Sequence, residues 1–214
     1  MQTDDLIRSL ASGTLEPVGR RFAVTRITVS LALSAGVVAV AIMASIGLRH
    51  DLLAAMAGEM FWIKLGYVAS ILLVALPVGV AMRRPDADVS RAWLMLVVPF
   101  TLIMIGALVE RAAQPVDLRI ASMLGQSWRQ CPLLIAGFSL PIFASLIFAF
   151  RRFATTRPAI TGGFLGIASG AAAACLYCLH CPESSLAFVA IWYSLGVLLA
   201  GMIGFVTGSR LLRW

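Results

Sequence analysis

The sequence predicts an all-α, polytopic membrane protein with six transmembrane helices and both termini in the cytoplasm. Three observations carry that expectation. Hydrophobic residues make up 60% of the 214 and charged residues only 13%, with a mean hydropathy of +0.94; a soluble domain is about 25% charged. Six apolar runs are each close to the roughly 20 residues that a helix needs to cross a bilayer. The basic residues between those runs fall mainly in alternate loops, as the positive-inside rule requires. This composition excludes a lone soluble domain, a disordered chain and a small disulfide scaffold.

The spans cover residues 27–48, 62–82, 92–109, 132–150, 159–179 and 186–206. Backbone groups in lipid must be satisfied within the segment, so runs this long and without alternation are helices and not barrel strands. They divide the chain into a cytoplasmic segment 1–26, a bundle 27–206 and a short basic tail 207–214. The only formal charge inside the spans is Lys64, two residues from an end, where its long side chain is expected to snorkel toward the interface. Pro77, Pro99 and Pro141 lie within the second, third and fourth spans, and membrane helices tolerate them as packing elements or use them as hinges.

Twelve of the 17 basic residues lie before the first span, between the second and third, between the fourth and fifth, or after the sixth. These loops and termini are therefore expected in the cytoplasm, and the formal charge of +7 is a topology signal. No nucleic-acid motif accompanies it, so no direct nucleic-acid partner is expected. The 26 largely polar residues before the first span, with Asp4, Asp5 and Glu16, do not read as a cleavable signal peptide. A bacterial inner membrane is the simplest setting, with the lipid bilayer itself as one partner.

The loops at 49–61, 110–131 and 180–185 then face outward. In the second of these, Ile120, Leu124 and Trp128 recur every four residues, which suits a short interfacial helix with Trp128 as its aromatic anchor. The last loop is so short that spans five and six must be antiparallel neighbours. Gly162, Gly166, Gly170 and Ala174 in span five, and Gly196, Ala200, Gly204 and Gly208 in span six, recur at the four-residue spacing that lets helix backbones approach.

No span centre carries an Asp, Glu, Lys, Arg or His, which removes most of the support for an ion-coupled transporter or a proton pump. Phosphate-cradling glycine loops and zinc-protease motifs are missing as well. The cysteines are the chemically informative residues. Cys131 and Cys181 both fall on the outward side, and each directly precedes a proline. Since proline favours the first helical position, each cysteine is expected beside a helix N-terminus whose dipole favours thiolate, with His180 adding to the effect at Cys181. An oxidising outer compartment can join such a pair as a disulfide, and a soft metal ion could transiently bridge them instead. Cys175 and Cys178 complete a Cys175-x-x-Cys178-x-x-Cys181 series as accessory thiols, with a small core hydrophobe as the plainer reading of Cys175.

Near the N-terminus, Thr3 can cap a helix whose first turn carries Asp4 and Asp5 and whose apolar stripe is Leu6, Ile7 and Leu10. That stripe suits a membrane surface or the groove of a cytoplasmic protein partner. The acidic first turn makes a poor anchor on an anionic leaflet.

The opening Thr3-Asp4-Asp5-Leu6-Ile7, the pair Pro17-Val18, and above all Cys181-Pro182-Glu183-Ser184-Ser185 through Phe188-Val189-Ala190-Ile191-Trp192-Tyr193-Ser194-Leu195-Gly196 resemble the NrsF-type family. These are six-span inner-membrane anti-sigma factors for extracytoplasmic-function sigma factors. The resemblance implies a sigma factor held by residues 3–10, sensing by Cys131 and Cys181, no catalysis and no cofactor. The cytoplasmic segment lacks the His-x-x-x-Cys-x-x-Cys of zinc-binding anti-sigma domains, so no structural metal is expected. The competing expectation is a membrane thiol–disulfide oxidoreductase linked to quinone, which the cysteine series would serve. A small-solute transporter is the third.

Overall fold

A computed structural model describes residues 20–82, 90–151, 153 and 155–212. Eight helices run through them: α1 (Arg20–Ser45), α2 (Leu52–Ala57), α3 (Glu59–Ala81), α4 (Ser90–Ala113), α5 (Leu118–Leu124), α6 (Gln130–Phe150), α7 (Pro158–Tyr177) and α8 (Leu186–Leu211). Six of them, α1, α3, α4, α6, α7 and α8, are long and apolar enough to cross a membrane, and no strand occurs among the described residues. The helix expected across Thr3 to Leu10 lies outside the described residues.

The short α2 and α5 lie in the loops that follow α1 and α4. Helix α4 runs four residues past the expected end of its span and so carries Glu110 and Arg111. Likewise, α8 continues to Leu211. Pro77, Pro99 and Pro141 lie within α3, α4 and α6, each of which continues past its proline. At the start of α8, Val189–Tyr193 winds as a π turn.

The bundle is built around α7, which packs against α8, α3, α6 and α1. Its composition explains this central place. Lipid is as apolar as any side chain, so helices in a membrane associate through close packing and not through exclusion of water. A Cβ added at Gly162 would collide with the Gly204 carbonyl oxygen, and one at Gly166 with that of Ala200. One at Gly170 would meet Ala200 Cβ at 2.8 Å. Backbone therefore touches backbone along most of the α7–α8 seam. Gly196 departs from the expected pattern: it faces α6, where an added Cβ would come within 2.8 Å of Ile135 and 3.2 Å of Pro132. The π turn just before it is the reason, because one extra residue in a turn changes which residues of α8 face each neighbour.

Hydroxyl pairs tie the outer helices to this centre. Ser30 of α1 and Ser145 of α6 share a hydrogen bond of 2.6 Å, and Tyr67 of α3 bonds Ser194 of α8 at 2.6 Å. In lipid each such bond replaces an otherwise unsatisfied group and stabilises by about 0.6–2 kcal/mol. Helix α4 is the least covered of the six and turns most of its large side chains outward.

The glycine seam is testable. Gly162→Ala should destabilise the bundle by about 1–3 kcal/mol, because the seam has no room for a methyl group. Gly137→Ala, where an added Cβ meets nothing within 4 Å, should be neutral or slightly stabilising. Thermal unfolding of the two variants in the same detergent separates these outcomes.

A thiol pair beneath a pinned strap as the candidate functional site

The site forms where α7 hands over to α8. Helix α7 closes with a tight turn in which the Cys181 N–H donates to the Tyr177 carbonyl at 3.0 Å. Residues 181–185 then run as an irregular strap to α8. The expected helix start at Cys181-Pro182 is corrected here: α8 begins at Leu186, with Ser185 as N-cap accepting from the Phe188 N–H at 3.5 Å. Serine offers the side-chain acceptor that a cap requires, and the proline biases Cys181 toward an extended backbone. On the opposite wall, the Cys131 N–H donates to the Ser127 carbonyl at 2.9 Å, so Cys131 does lie in the first turn of α6.

Side chains from most of the bundle converge on the strap. Lys64 Nζ of α3 donates to the carbonyls of Cys181 (3.1 Å) and Glu183 (2.9 Å). Arg49 reaches the Cys181 carbonyl at 3.4 Å while paired with Asp51 at 2.6 Å. Glu110 of α4 accepts from the Leu186 and Ala187 N–H groups at 2.7 and 3.3 Å and from the Ser185 hydroxyl at 3.2 Å, so a carboxylate sits at the positive end of α8. Glu183 accepts from the Gln126 and Ser127 N–H groups at 2.7 and 3.2 Å, tying the strap to the α5–α6 loop. Gly125 in that loop has φ +57° and no room for a side chain, since an added Cβ would lie 2.7 Å from the Glu183 carboxylate.

Lys64 does not snorkel. It is 1% exposed and points into the bundle, where its ammonium also lies 5.6 Å from the Tyr193 ring centroid. The strap explains the reversal: its irregular backbone leaves carbonyls that a buried chain segment must satisfy, and Lys64 satisfies two of them. Trp128 lies beyond the end of α5 and packs on Trp192 at 5.3 Å, beneath the Arg129 guanidinium. Ile120 and Leu124 are exposed. A hollow of about 620 Å³ lined by Ala121, Leu124, Gly125, Trp128, Pro182 and Glu183 lies against the strap.

All four cysteines are free, with Cys131, Cys178 and Cys181 fully buried and Cys175 half-buried. Cys131 of α6 and Cys181 of the strap lie in one buried cluster and are electrostatic neighbours. The neighbouring Cys131 thiol, the Lys64 charge and the Glu183 N–H draw the Cys181 thiol below its usual range against the opposing effect of burial. Burial pushes Cys178 the other way, up to about 12. The His180 Nδ1 lies 2.9 Å from the Gly47 carbonyl oxygen, which ties the end of α7 to the loop after α1. Among the described residues, no group of three or more His, Cys, Asp or Glu side chains is arranged to hold a metal ion.

Lys64, Glu110, Glu183 and Tyr193 are site residues to which the sequence assigns no role in the site. The one available signal is that Lys64 is the sole charge within a span. Glu110→Ala should cost about 1.5–3 kcal/mol, since it leaves the Leu186 and Ala187 N–H groups without their charged acceptor. Denaturation in detergent measures this, and an unchanged midpoint would show that the cap contributes nothing.

Comparison with known proteins accounts for the whole chain. The family described as "Negative regulator of sigma F" matches residues 10–214. A probable anti-sigma-F factor NrsF from Azospira oryzae is 35% identical, and an anti-sigma-F factor NrsF from Caulobacter vibrioides is 38% identical, each over the full length of both chains. No solved structure matches. With six membrane-length helices and a match over nearly all its residues, the chain belongs to the NrsF family of negative regulators of sigma F.

Proposed function

We propose that this protein is an inner-membrane anti-sigma factor, with both termini in the cytoplasm, that sequesters an extracytoplasmic-function sigma factor and releases it when Cys131 and Cys181 are oxidised from the periplasmic side. The observation that carries this reading is the burial of Cys131, at the start of α6, and Cys181, on the strap, in one cluster, in a chain whose relatives are named anti-sigma-F factors. The partner-binding segment is Thr3, Asp4, Asp5, Leu6, Ile7 and Leu10, with the apolar stripe in a groove of the sigma factor and the aspartates toward its basic surface.

Physical linkage runs as follows. A disulfide would hold the two sulfurs at about 2.05 Å and remove both S–H groups. Cys131 lies in the first turn of α6, and Cys181 on a strap continuous with α7 and α8. Those three helices interlock, with Gly196 of α8 against Ile135 of α6 and the glycine seam between α7 and α8. A displacement at the strap is therefore carried by rigid elements to the opposite ends of the helices. A coupling of about 1–3 kcal/mol between oxidation and sigma-factor affinity would suffice for a 5–150-fold change in occupancy.

The oxidoreductase reading fits the geometry less well. Thiol–disulfide exchange requires a thiolate to reach the sulfur of its partner, and both thiols are 0% exposed, which bars a protein substrate. The pair also offers only two sulfurs for a metal, so oxidation is the better reading of the signal than a soft-metal bridge.

Two experiments test the proposal in cells carrying a reporter for the sigma factor's target genes. A Leu6→Asp, Leu10→Asp double substitution should abolish sequestration at normal protein level and leave the reporter on without stimulus; unchanged repression would remove the N-terminal segment from the binding site. Cys131→Ser, Cys181→Ser and the double variant should share one phenotype, repression that persists under oxidant. Full induction in the double variant would end the cysteine reading.

A further inference from the structure

The half of the bundle remote from the strap is packed less tightly than the seam beside it. Helix α4 packs on α3 and on the first turns of α8, where Glu110 fastens its outer end. Its other half stands off from α7 and α8 over two hollows of about 260 and 290 Å³. Trp93 bridges the gap, its ring 4.9 Å from that of the buried Phe164 of α7. The hollows share Trp93, Ile167 and Leu198, and so form one groove. Ile160, Gly163 and Ile167 line it from α7, and Leu198, Met202 and Phe205 from α8. Along α8 the groove extends from Ser194 to Val206, about 18 Å at 1.5 Å per residue. One leaflet's share of a hydrocarbon core about 30 Å thick is roughly 15 Å.

The lining decides what fills this groove. Its two hydroxyls, Tyr67 and Ser194, bond each other at 2.6 Å, and Ser194 donates to the Ala190 carbonyl at 2.6 Å. Water finds few partners there, and an apolar hollow of this kind stays dry. Trp93, Leu198 and Phe205 are each about half exposed, so the groove opens sideways to lipid. A hydrocarbon chain supplies the dispersion contacts that an empty groove forfeits. The mouth is basic. Arg91 stands in the first turn of α4, Arg157 is the N-cap of α7, and Arg210 is in the last turn of α8; all three are exposed. Arg157 comes three residues before Ile160 and Arg210 four after Val206, spacings that place each on the same face as the lining residue of its own helix. Arg157 provides no side-chain cap, so the positive end of α7 adds to the field. Among the described residues, no Asp or Glu lies at this end of the bundle. The α3–α4 connection, outside the described residues, carries Arg83, Arg84, Asp86 and Asp88, which sum to no net charge.

We propose that the groove holds one acyl chain of an anionic phospholipid whose phosphate is bound by Arg157 and Arg210. Charge complementarity selects the headgroup, since basic pockets between membrane helices bind anionic lipids and a guanidinium matches a phosphate through paired N–H groups. A zwitterionic lipid fills the groove equally well but brings a cation of its own to a basic mouth. A second copy of the chain, seated groove to groove, would set its arginines against these at the same membrane depth, and like charges disfavour that pairing. The bound chain is the packing partner that half of α4 otherwise lacks, so an occupied groove fixes α4 against α7 and α8. The proposal is independent of the thiols. Naming the leaflet as the inner one follows from the orientation proposed above, and the binding itself does not depend on it.

The test uses the full-length protein in mild detergent, with phosphatidylglycerol and phosphatidylcholine of identical chains added in equal amounts and the retained lipid counted by native mass spectrometry. One phosphatidylglycerol per chain should be retained, preferred by roughly twentyfold, the product of two arginines at about fivefold each. Arg157→Gln and Arg210→Gln should each lower that preference to about fivefold and leave phosphatidylcholine retention unchanged. Gly163→Leu should weaken both lipids alike, because its Cβ meets Phe205 at an ordinary 3.6 Å and the rest of the side chain enters the groove. Phosphatidylglycerol with a photoreactive group midway along one chain should crosslink to peptides covering 160–167 and 198–206. Both arginines are exposed, so their variants keep the test decisive even where Gly163→Leu fails to fold. Equal retention of the two lipids, or an unchanged preference in both arginine variants, would overturn the headgroup site. Displacement of the lipid by inorganic phosphate would show a site for a free anion and overturn the lipid. Crosslinks spread evenly over α1 and α6, or a dimer crosslinked through α8, would overturn the groove as the seat of the chain.

Discussion

Backbone contact between α7 and α8 is the constraint from which the rest of the bundle follows. At Gly162 and Gly204 there is no space between the two chains for a single methyl group, so these helices have one relative position and very little play. Their connection is only eight residues long, counted from Cys178 to Ser185. The strap is thereby held across the end of a rigid pair, and α3, α6 and α1 find their places on the remaining faces of α7. Close approach matters more in lipid than in water, because dispersion contacts and interhelical hydrogen bonds must replace the hydrophobic drive that assembles a soluble core.

The strap shows how irregular backbone is made tolerable at the end of such a bundle. Its carbonyls and N–H groups are satisfied from outside the segment, by Lys64 and Arg49 on the acceptor side and by Glu110 on the donor side. Each of these is a charged group whose own desolvation has to be compensated, and backbone dipoles do so in part. Lys64 is the extreme case, since its hydrogen-bond acceptors are both carbonyls and carry no net charge. A thiol placed beside such a cation is in an environment quite unlike that of the half-buried Cys175.

The six spans are legible in the sequence because hydropathy and length are properties of a segment taken alone. The seam was legible for a similar reason, as small residues at a four-residue spacing have one obvious use in a membrane. Charge asymmetry puts Cys131 and Cys181 on one side of the bundle, but nothing in the sequence places them in one buried cluster, because that depends on how a tight turn after Tyr177 redirects the chain. The orientation of Lys64 is hidden for a related reason: its partners are backbone carbonyls, which every residue possesses and no motif records. The start of α8 misleads because Cys181-Pro182 and Ser185 are competing helix starts, and the better capping side chain wins. The packing of Trp128 on Trp192 is hidden as well, because 64 positions separate them along the chain.

The π turn at Val189–Tyr193 gives α8 two angular phases in one continuous helix. An α-helix advances 100° per residue, so one surplus residue within a turn rotates everything after it relative to everything before it. Outside the turn, Ala187 and Phe188 are set by the strap and by Glu110; beyond it, Ala200, Gly204 and Gly208 are set by the seam with α7. The two requirements are thus met independently, as they would be by two keys cut on one shank. Loss of a single residue from this turn would leave a perfectly good helix and a hydropathy profile almost unchanged, yet would force a choice between a correctly seated strap and a closed seam. Alignment gaps among related chains would therefore be informative here out of all proportion to their length, since a chain without the extra residue has to pack its sixth span by a different face.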